Sequence, residues 1–96
     1  MEREIVWTKT AINDLAAVLS YLDSNWPGPI SETFIVELQK QLKIASIFPD
    51  IGQSFADYAQ VRRILITEHN ALFYDYDENK LYVLKIVDTR SYKYKR

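Results

Sequence analysis

The 96-residue sequence has no cysteine, only two glycines and three prolines, and a single histidine. Without cysteine there is no disulfide framework, no thiolate metal site and no thiol nucleophile. One histidine gives paired-histidine metal sites and His-dependent triads little to work with. So few glycines and prolines exclude collagen-like and low-complexity architectures. Apolar runs such as Ala71–Tyr74 and Leu81–Leu84 are far shorter than the 20 or so residues a membrane helix needs. No P-loop, dinucleotide fingerprint or nucleophile elbow is present. Met1–Glu4 leads into Ile5-Val6-Trp7 with no secretory pattern, so a cytoplasmic protein is expected.

The composition that remains is that of an ordinary folded domain, 48% hydrophobic and 26% charged. Residues 1–96 are expected to form one domain. The net charge of −1 conceals an asymmetry. Residues 1–60 carry four bases against eight acids, and residues 61–96 eight bases against five acids. Thr89–Arg96 holds four bases and no acid, a pattern that suits an acidic partner or a solvated tail.

The hydrophobic pattern divides the chain cleanly. Glu4–Trp7 is β-branched and aromatic and reads as a strand. Thr8 is a candidate N-cap for a helix from Lys9 to Asn25, with Ile12, Leu15, Ala16, Leu19 and Leu22 at helical spacing. Trp26-Pro27-Gly28-Pro29 ends it, because proline removes an amide donor and restricts its predecessor. Phe34, Leu38, Leu42, Ala45 and Phe48 mark a second helix that Pro49 stops. Asp50–Gln60 reads as a loop, with Gly52 at a turn needing an unusual backbone angle. The period then becomes two: Val61–Thr67, Ala71–Asp77 and Leu81–Asp88 read as three strands joined by short turns. The expected fold class is α+β, an antiparallel sheet in β-α-α-β-β-β order packed against an N-terminal helical hairpin. Trp7 and Trp26 read as packing residues, Tyr74, Tyr76 and Tyr82 as cross-strand packing, and His69 as a turn residue.

Several segments together resemble a known family. Trp7-Thr8 with Ala11 and Asp14-Leu15 opens the resemblance, and Phe34, Leu38 and Phe48-Pro49-Asp50-Ile51-Gly52 continue it. Val61-Arg62-Arg63, Leu72-Phe73-Tyr74-Asp75-Tyr76 and Tyr82–Arg90 complete it. In order, spacing and total length they are similar to the RelE/ParE superfamily of bacterial type II toxins. The resemblance implies the α+β fold derived above and a cognate antitoxin that binds and neutralises the chain in a hetero-oligomer. It implies growth inhibition by free toxin, in the setting of plasmid stabilization. It also implies one of three modes: ParE-like inhibition of DNA gyrase by binding, RelE-like cleavage of mRNA on the ribosome, or antitoxin binding without activity.

Metal-free RNA cleavage needs a base at the 2′-hydroxyl, positive charge on the phosphate and an acid for the leaving oxygen. The resemblance places these roles on Arg62 (or Arg63), Arg90, and Tyr92 or Tyr94. It also places expected basic residues on Ile64 and Ala71, which cannot fill them. The favoured expectation is therefore the non-enzymatic, gyrase-binding mode, with the metal-independent mRNA endoribonuclease as alternative. Arg62, Arg63, Arg90, Lys93, Lys95 and Arg96 are the expected target contacts, read as one basic patch. Leu15, Val18, Leu19, Tyr21 and Arg90 are the expected contacts for an acidic antitoxin segment. A purely structural reading leaves one of Arg62 and Arg63 solvated and pairs the other with Asp75 or Glu68, and pairs Arg90 with Asp88. No metal or cofactor is expected.

Overall fold

The computed structural model describes residues 2–26, 28–55 and 58–90. Strand β1 is Glu4–Trp7, helix α1 Lys9–Asn25 and helix α2 Ile30–Ile47. A 3-10 turn at Pro49–Ile51 leads to β2, Gln53–Phe55, then β3, Tyr58–Thr67. Strand β4 is Asn70–Tyr76 and β5 Lys80–Asp88. The sheet order is β1-β5-β4-β3-β2.

Each element follows from local chemistry. The Thr8 hydroxyl accepts from the Ala11 amide at 3.2 Å and so caps α1. Helix α1 ends at Trp26, whose amide donates to the Leu22 carbonyl. Helix α2 turns Phe34, Leu38, Leu42 and Ala45 inward. Tyr74 is fully buried among these residues, with Leu72, Leu81, Val83 and Ile86 beside it on the sheet. Trp7 packs against this core, as the sequence suggests.

Three features depart from the sequence expectation. The sheet is mixed: β2 to β5 form the antiparallel meander, but β1 lies parallel to β5, with Trp7 opposite Val83. The two helices carry the chain from β1 to the far edge of the sheet, and the meander brings it back strand by strand until β5 lies beside β1. The expected loop after Asp50 contains β2, and β3 begins at Tyr58, three residues before Val61. Finally, β5 carries a bulge. Val83 lies opposite Tyr74 and Lys85 opposite Phe73, leaving Leu84 as the extra residue. The bulge lets Leu81, Val83 and Ile86 all face the helices despite their uneven spacing.

Gly52 is needed for a different reason than the sequence suggested. Its φ is −72°, an ordinary value. A Cβ there would lie 2.5 Å from the Tyr74 hydroxyl and 2.9 Å from the Arg63 carbonyl. The Tyr74 hydroxyl donates to the Pro49 carbonyl at 2.5 Å and accepts from the Gly52 amide at 3.0 Å. Glycine is thus required by close approach. Burial pushes the Tyr74 phenol above its ordinary value, with the Gly52 amide opposing. The positive φ belongs to Gly28, at 81° in the turn between the helices.

Candidate functional site

The strand register decides where the expected basic residues go. Arg62 pairs with Tyr74 and so shares the helix-covered side of the sheet. Its guanidinium donates to the carbonyls of Gly52 at 2.7 Å and Asp50 at 3.3 Å. Arg63 points to the opposite face, uncovered by the two helices, where it donates to Gln53 Oε1 at 2.8 Å. Neither contact is the carboxylate pairing expected from sequence: the acceptors are two turn carbonyls and a side-chain amide oxygen.

On the uncovered face Arg63, Phe73 and Lys85 form one cross-strand row. The two bases stand two strands apart, about 10 Å. Leu65, Ala71 and Val87 form the next row, which is wholly apolar, with Leu65 exposed, Val87 half-buried and Ala71 buried between them. Lys85 is a candidate that the sequence reading missed, since only the β5 bulge turns it to this face.

Arg90 lies at the other end of the sheet. Its guanidinium grips Asp88 with two bonds, Nε to Oδ1 at 3.0 Å and Nη2 to Oδ2 at 2.8 Å. The Arg90 amide donates to the same Oδ1 at 2.8 Å. These hydrogen bonds hold the Asp88 carboxyl down at about 2 and raise the Arg90 guanidinium. The structural pairing read from sequence is therefore present. Asp88 pairs with Asn70, four residues along β4 from Tyr74, the partner of Arg62. That spacing is about 13 Å. The three arginines thus do not form one patch: Arg62 and Arg90 sit at opposite ends, and Arg63 on the other face. Tyr92, Lys93, Tyr94, Lys95 and Arg96 lie outside the described residues.

Arg90 borders a groove of about 1000 Å³ between the tip of the helical hairpin and the end of the sheet. Val18, Leu22, Phe34 and Ile66 line it with Tyr21, Trp26 and Ile30, and His69, Asp88, Arg90 and Glu37 supply polar groups. The four apolar residues expected to meet an antitoxin divide. Val18 and Tyr21 line this groove, while Leu15 lines a separate hollow with Ile5, Trp7 and Leu42. Leu19 packs against the core. Trp26 departs from its packing assignment, with 54% of its surface exposed at the groove. Its position after the last turn of α1 is the signal: a tryptophan at a helix end before a proline is poorly placed to reach the core.

At the opposite end Phe48 is 62% exposed and Ile51 55%, on the turn pinned by Tyr74 and Arg62. Beside it a polar cleft of about 490 Å³ is lined by Gln60, Arg62, Asp75, Tyr76, Asp77 and Tyr82. The Tyr82 hydroxyl donates to Asp77 Oδ2 at 3.1 Å, which raises the phenol. Asp77 is lowered mainly by the Asn79 and Lys80 amides. His69 is in the β3–β4 turn, 3.1 Å from Glu68 Oε2. Among the described residues no acidic or histidine cluster could hold a metal ion. Among the described residues no helix is long and apolar enough to cross a membrane.

Comparison with known structures finds the same fold. The chromosomal ParDE toxin–antitoxin system of P. aeruginosa superposes with a TM-score of 0.73 at 15% identity, covering 91% of this chain and 96% of that one. The YoeB dimer of Staphylococcus aureus gives 0.68 at 15% identity, covering 91% and 97%. A mutant of E. coli toxin RelE in the free state gives 0.67 at 13% identity, covering 98% and 90%. Among curated proteins none matches the sequence. The family model described as the ParE toxin of the type II toxin–antitoxin system parDE matches residues 5–91. With the family model matching residues 5–91, nearly the whole chain, and the fold shared with these structures, the chain belongs to the ParE toxin family of type II toxin–antitoxin systems.

Proposed function

We propose that this toxin acts by binding, as a ParE-like inhibitor of DNA gyrase in the cytoplasm, and not by cutting RNA. The supporting observation is the apolar row Leu65–Ala71–Val87 on the uncovered face. Cleavage through a 2′-hydroxyl needs donors converging on one phosphate, and losing one such donor costs roughly 10²–10³ in rate. Here Arg62 is spent on the carbonyls of Gly52 and Asp50, and Arg90 on Asp88. A binding inhibitor needs no such convergence. The net charge of −1 agrees, because entry into a ribosomal site favours a strongly basic protein.

A second reading has its own observation. The Arg63–Phe73–Lys85 row sets two cations on either side of an aromatic ring, and a RelE-like mRNA endoribonuclease could use them on a phosphate backbone. Inducing the chain without its antitoxin separates the two. A DNA-damage response with continuing protein synthesis supports the gyrase reading. Rapid translation arrest with cut mRNA supports the nuclease, and unimpaired growth overturns both.

The antitoxin partner belongs to the same proposal. The groove at the hairpin tip has the shape and lining for an amphipathic helix, with Val18, Leu22, Phe34 and Ile66 in contact with its apolar face. An acidic residue on that segment would meet Arg90. A complex with the groove empty and Arg90 open to solvent would count against this placement.

A further inference from the structure

The opening motif of the chain, Thr8 with Ala11 and Asp14, has no part in either surface described above. Strand β1 accompanies β5 only as far as Val83. Beyond it, the outer edge of β5 meets the start of α1. The Thr8 amide donates to the Val83 carbonyl at 3.2 Å. The Thr8 hydroxyl donates toward the carbonyls of Val83, at 2.8 Å, and Leu84, at 3.2 Å. Asp14 Oδ2 accepts from the Ile86 amide at 3.0 Å. Ala11, between them on the helix, is fully buried, which allows this close approach.

These contacts bracket the bulge at Leu84. A bulge re-aims the residues that follow it, and a slip of one residue exchanges the two faces of a strand. In the observed phase Ile86 enters the core and Lys85 and Val87 take the uncovered face. Arg90 follows four residues after Ile86, so the same phase sets where its guanidinium arrives.

We propose that Asp14, assisted by Thr8, is a positioning residue: it fixes the phase of β5 after the bulge and thereby delivers Arg90 to the groove and Lys85 to the uncovered face. The geometry stands by itself; its consequence for toxicity rests on the functional reading above. A carboxylate accepting from a backbone amide is among the stronger hydrogen bonds and is directional, so it adds to the β4 pairing a contact on the outer edge that favours this phase over a slipped one.

The test compares Asp14→Asn, which keeps a side-chain acceptor oxygen, with Asp14→Leu, which keeps bulk and loses the acceptor. Amide exchange is measured on full-length protein made by cell-free synthesis, and growth is followed on induction in cells. In D14L the Ile86 amide should exchange about ten- to a hundredfold faster. The Leu72 and Leu81 amides should stay protected, and growth arrest should be lost. In D14N both properties should remain close to the parent. Unchanged Ile86 exchange in D14L overturns the proposal, as does D14N behaving like D14L, or full toxicity in a D14L protein whose Ile86 amide exchanges fast. If D14L does not fold, Asp14→Ala, which removes the acceptor without adding bulk, makes the same comparison. A parent chain that never slows growth overturns the toxin mechanisms above, and amide exchange alone then decides the positioning role of Asp14.

Discussion

Replacing Gly52 by alanine should cost far more than its ordinary backbone angle suggests. The new methyl would stand 2.5 Å from the Tyr74 hydroxyl and 2.9 Å from both the Tyr74 Cε1 and the Arg63 carbonyl. One obstacle is backbone held in the β2–β3 pairing, and the others belong to a fully buried ring. Overpacking of this kind costs roughly 1–3 kcal/mol. Movement of the ring also breaks the bonds from its hydroxyl to Pro49 and from the Gly52 amide, each worth about 1 kcal/mol net. The sum is about 3–5 kcal/mol, or a fall in Tm of the order of 15 °C or more for a domain this size. Thermal and urea unfolding followed by circular dichroism measure it. Gly52→Ala with Tyr74→Phe should cost less than the two single changes added together, because the nearest obstacle is gone. The coupling expected between contacting residues is about 0.5–3 kcal/mol. A Gly52→Ala protein within about 0.5 kcal/mol of the parent would refute the reasoning, and full additivity would refute the role of the hydroxyl.

Three further outcomes follow from the same geometry. Arg90→Glu should abolish growth arrest on induction, while circular dichroism shows the fold retained, because the pair it breaks is largely exposed. The Asp88 carboxyl titrates at about 2 when folded and near 3.8 when unfolded, so its contribution is complete above the unfolded value and is lost as the pH falls through about 2. Solvent screening limits it to at most about 1 kcal/mol, and acid titration of an Arg90→Gln variant should show this component missing. Trp26→Ala should leave stability within about 0.5 kcal/mol yet weaken antitoxin binding at least tenfold by calorimetry, as expected for an exposed aromatic anchor.

Helix α1 was legible to the residue because Thr8, the apolar spacing and the Trp26–Pro29 block all carry local signals. The meander was legible for the same reason. The partner of β1 was not, since a four-residue strand records nothing about what lies beside it after two helices. The β5 bulge was equally hidden. Leu81, Val83 and Ile86 do not alternate, and only Tyr74 and Phe73 across the sheet show which residue is extra. This is why Lys85 escaped the candidate set. It is also why the arginines read as a single patch: sequence gives their charge, but register gives their face and row. The Phe48–Gly52 motif was visible as a turn, while its cause, the hydroxyl of a tyrosine 22 residues further on, could not be read locally.

The separation of Arg90 from the Arg63–Phe73–Lys85 row constrains how neutralisation can work. A helix seated only in the hairpin-tip groove covers Arg90 and leaves the row on the other face of the sheet open. If the row met the target, such an antitoxin would neutralise only by extending around the sheet edge or across the uncovered face. If the groove end itself meets the target, neutralisation is direct competition, and Arg90→Glu removes toxicity and antitoxin affinity together. Paired charge reversals at Arg63 and Lys85 then separate the two arrangements. Under competition at the groove they leave growth arrest intact. Loss of arrest with antitoxin affinity unchanged would move the target to the uncovered face, beside the apolar row, and whether mRNA is cut would then decide between gyrase and RNA.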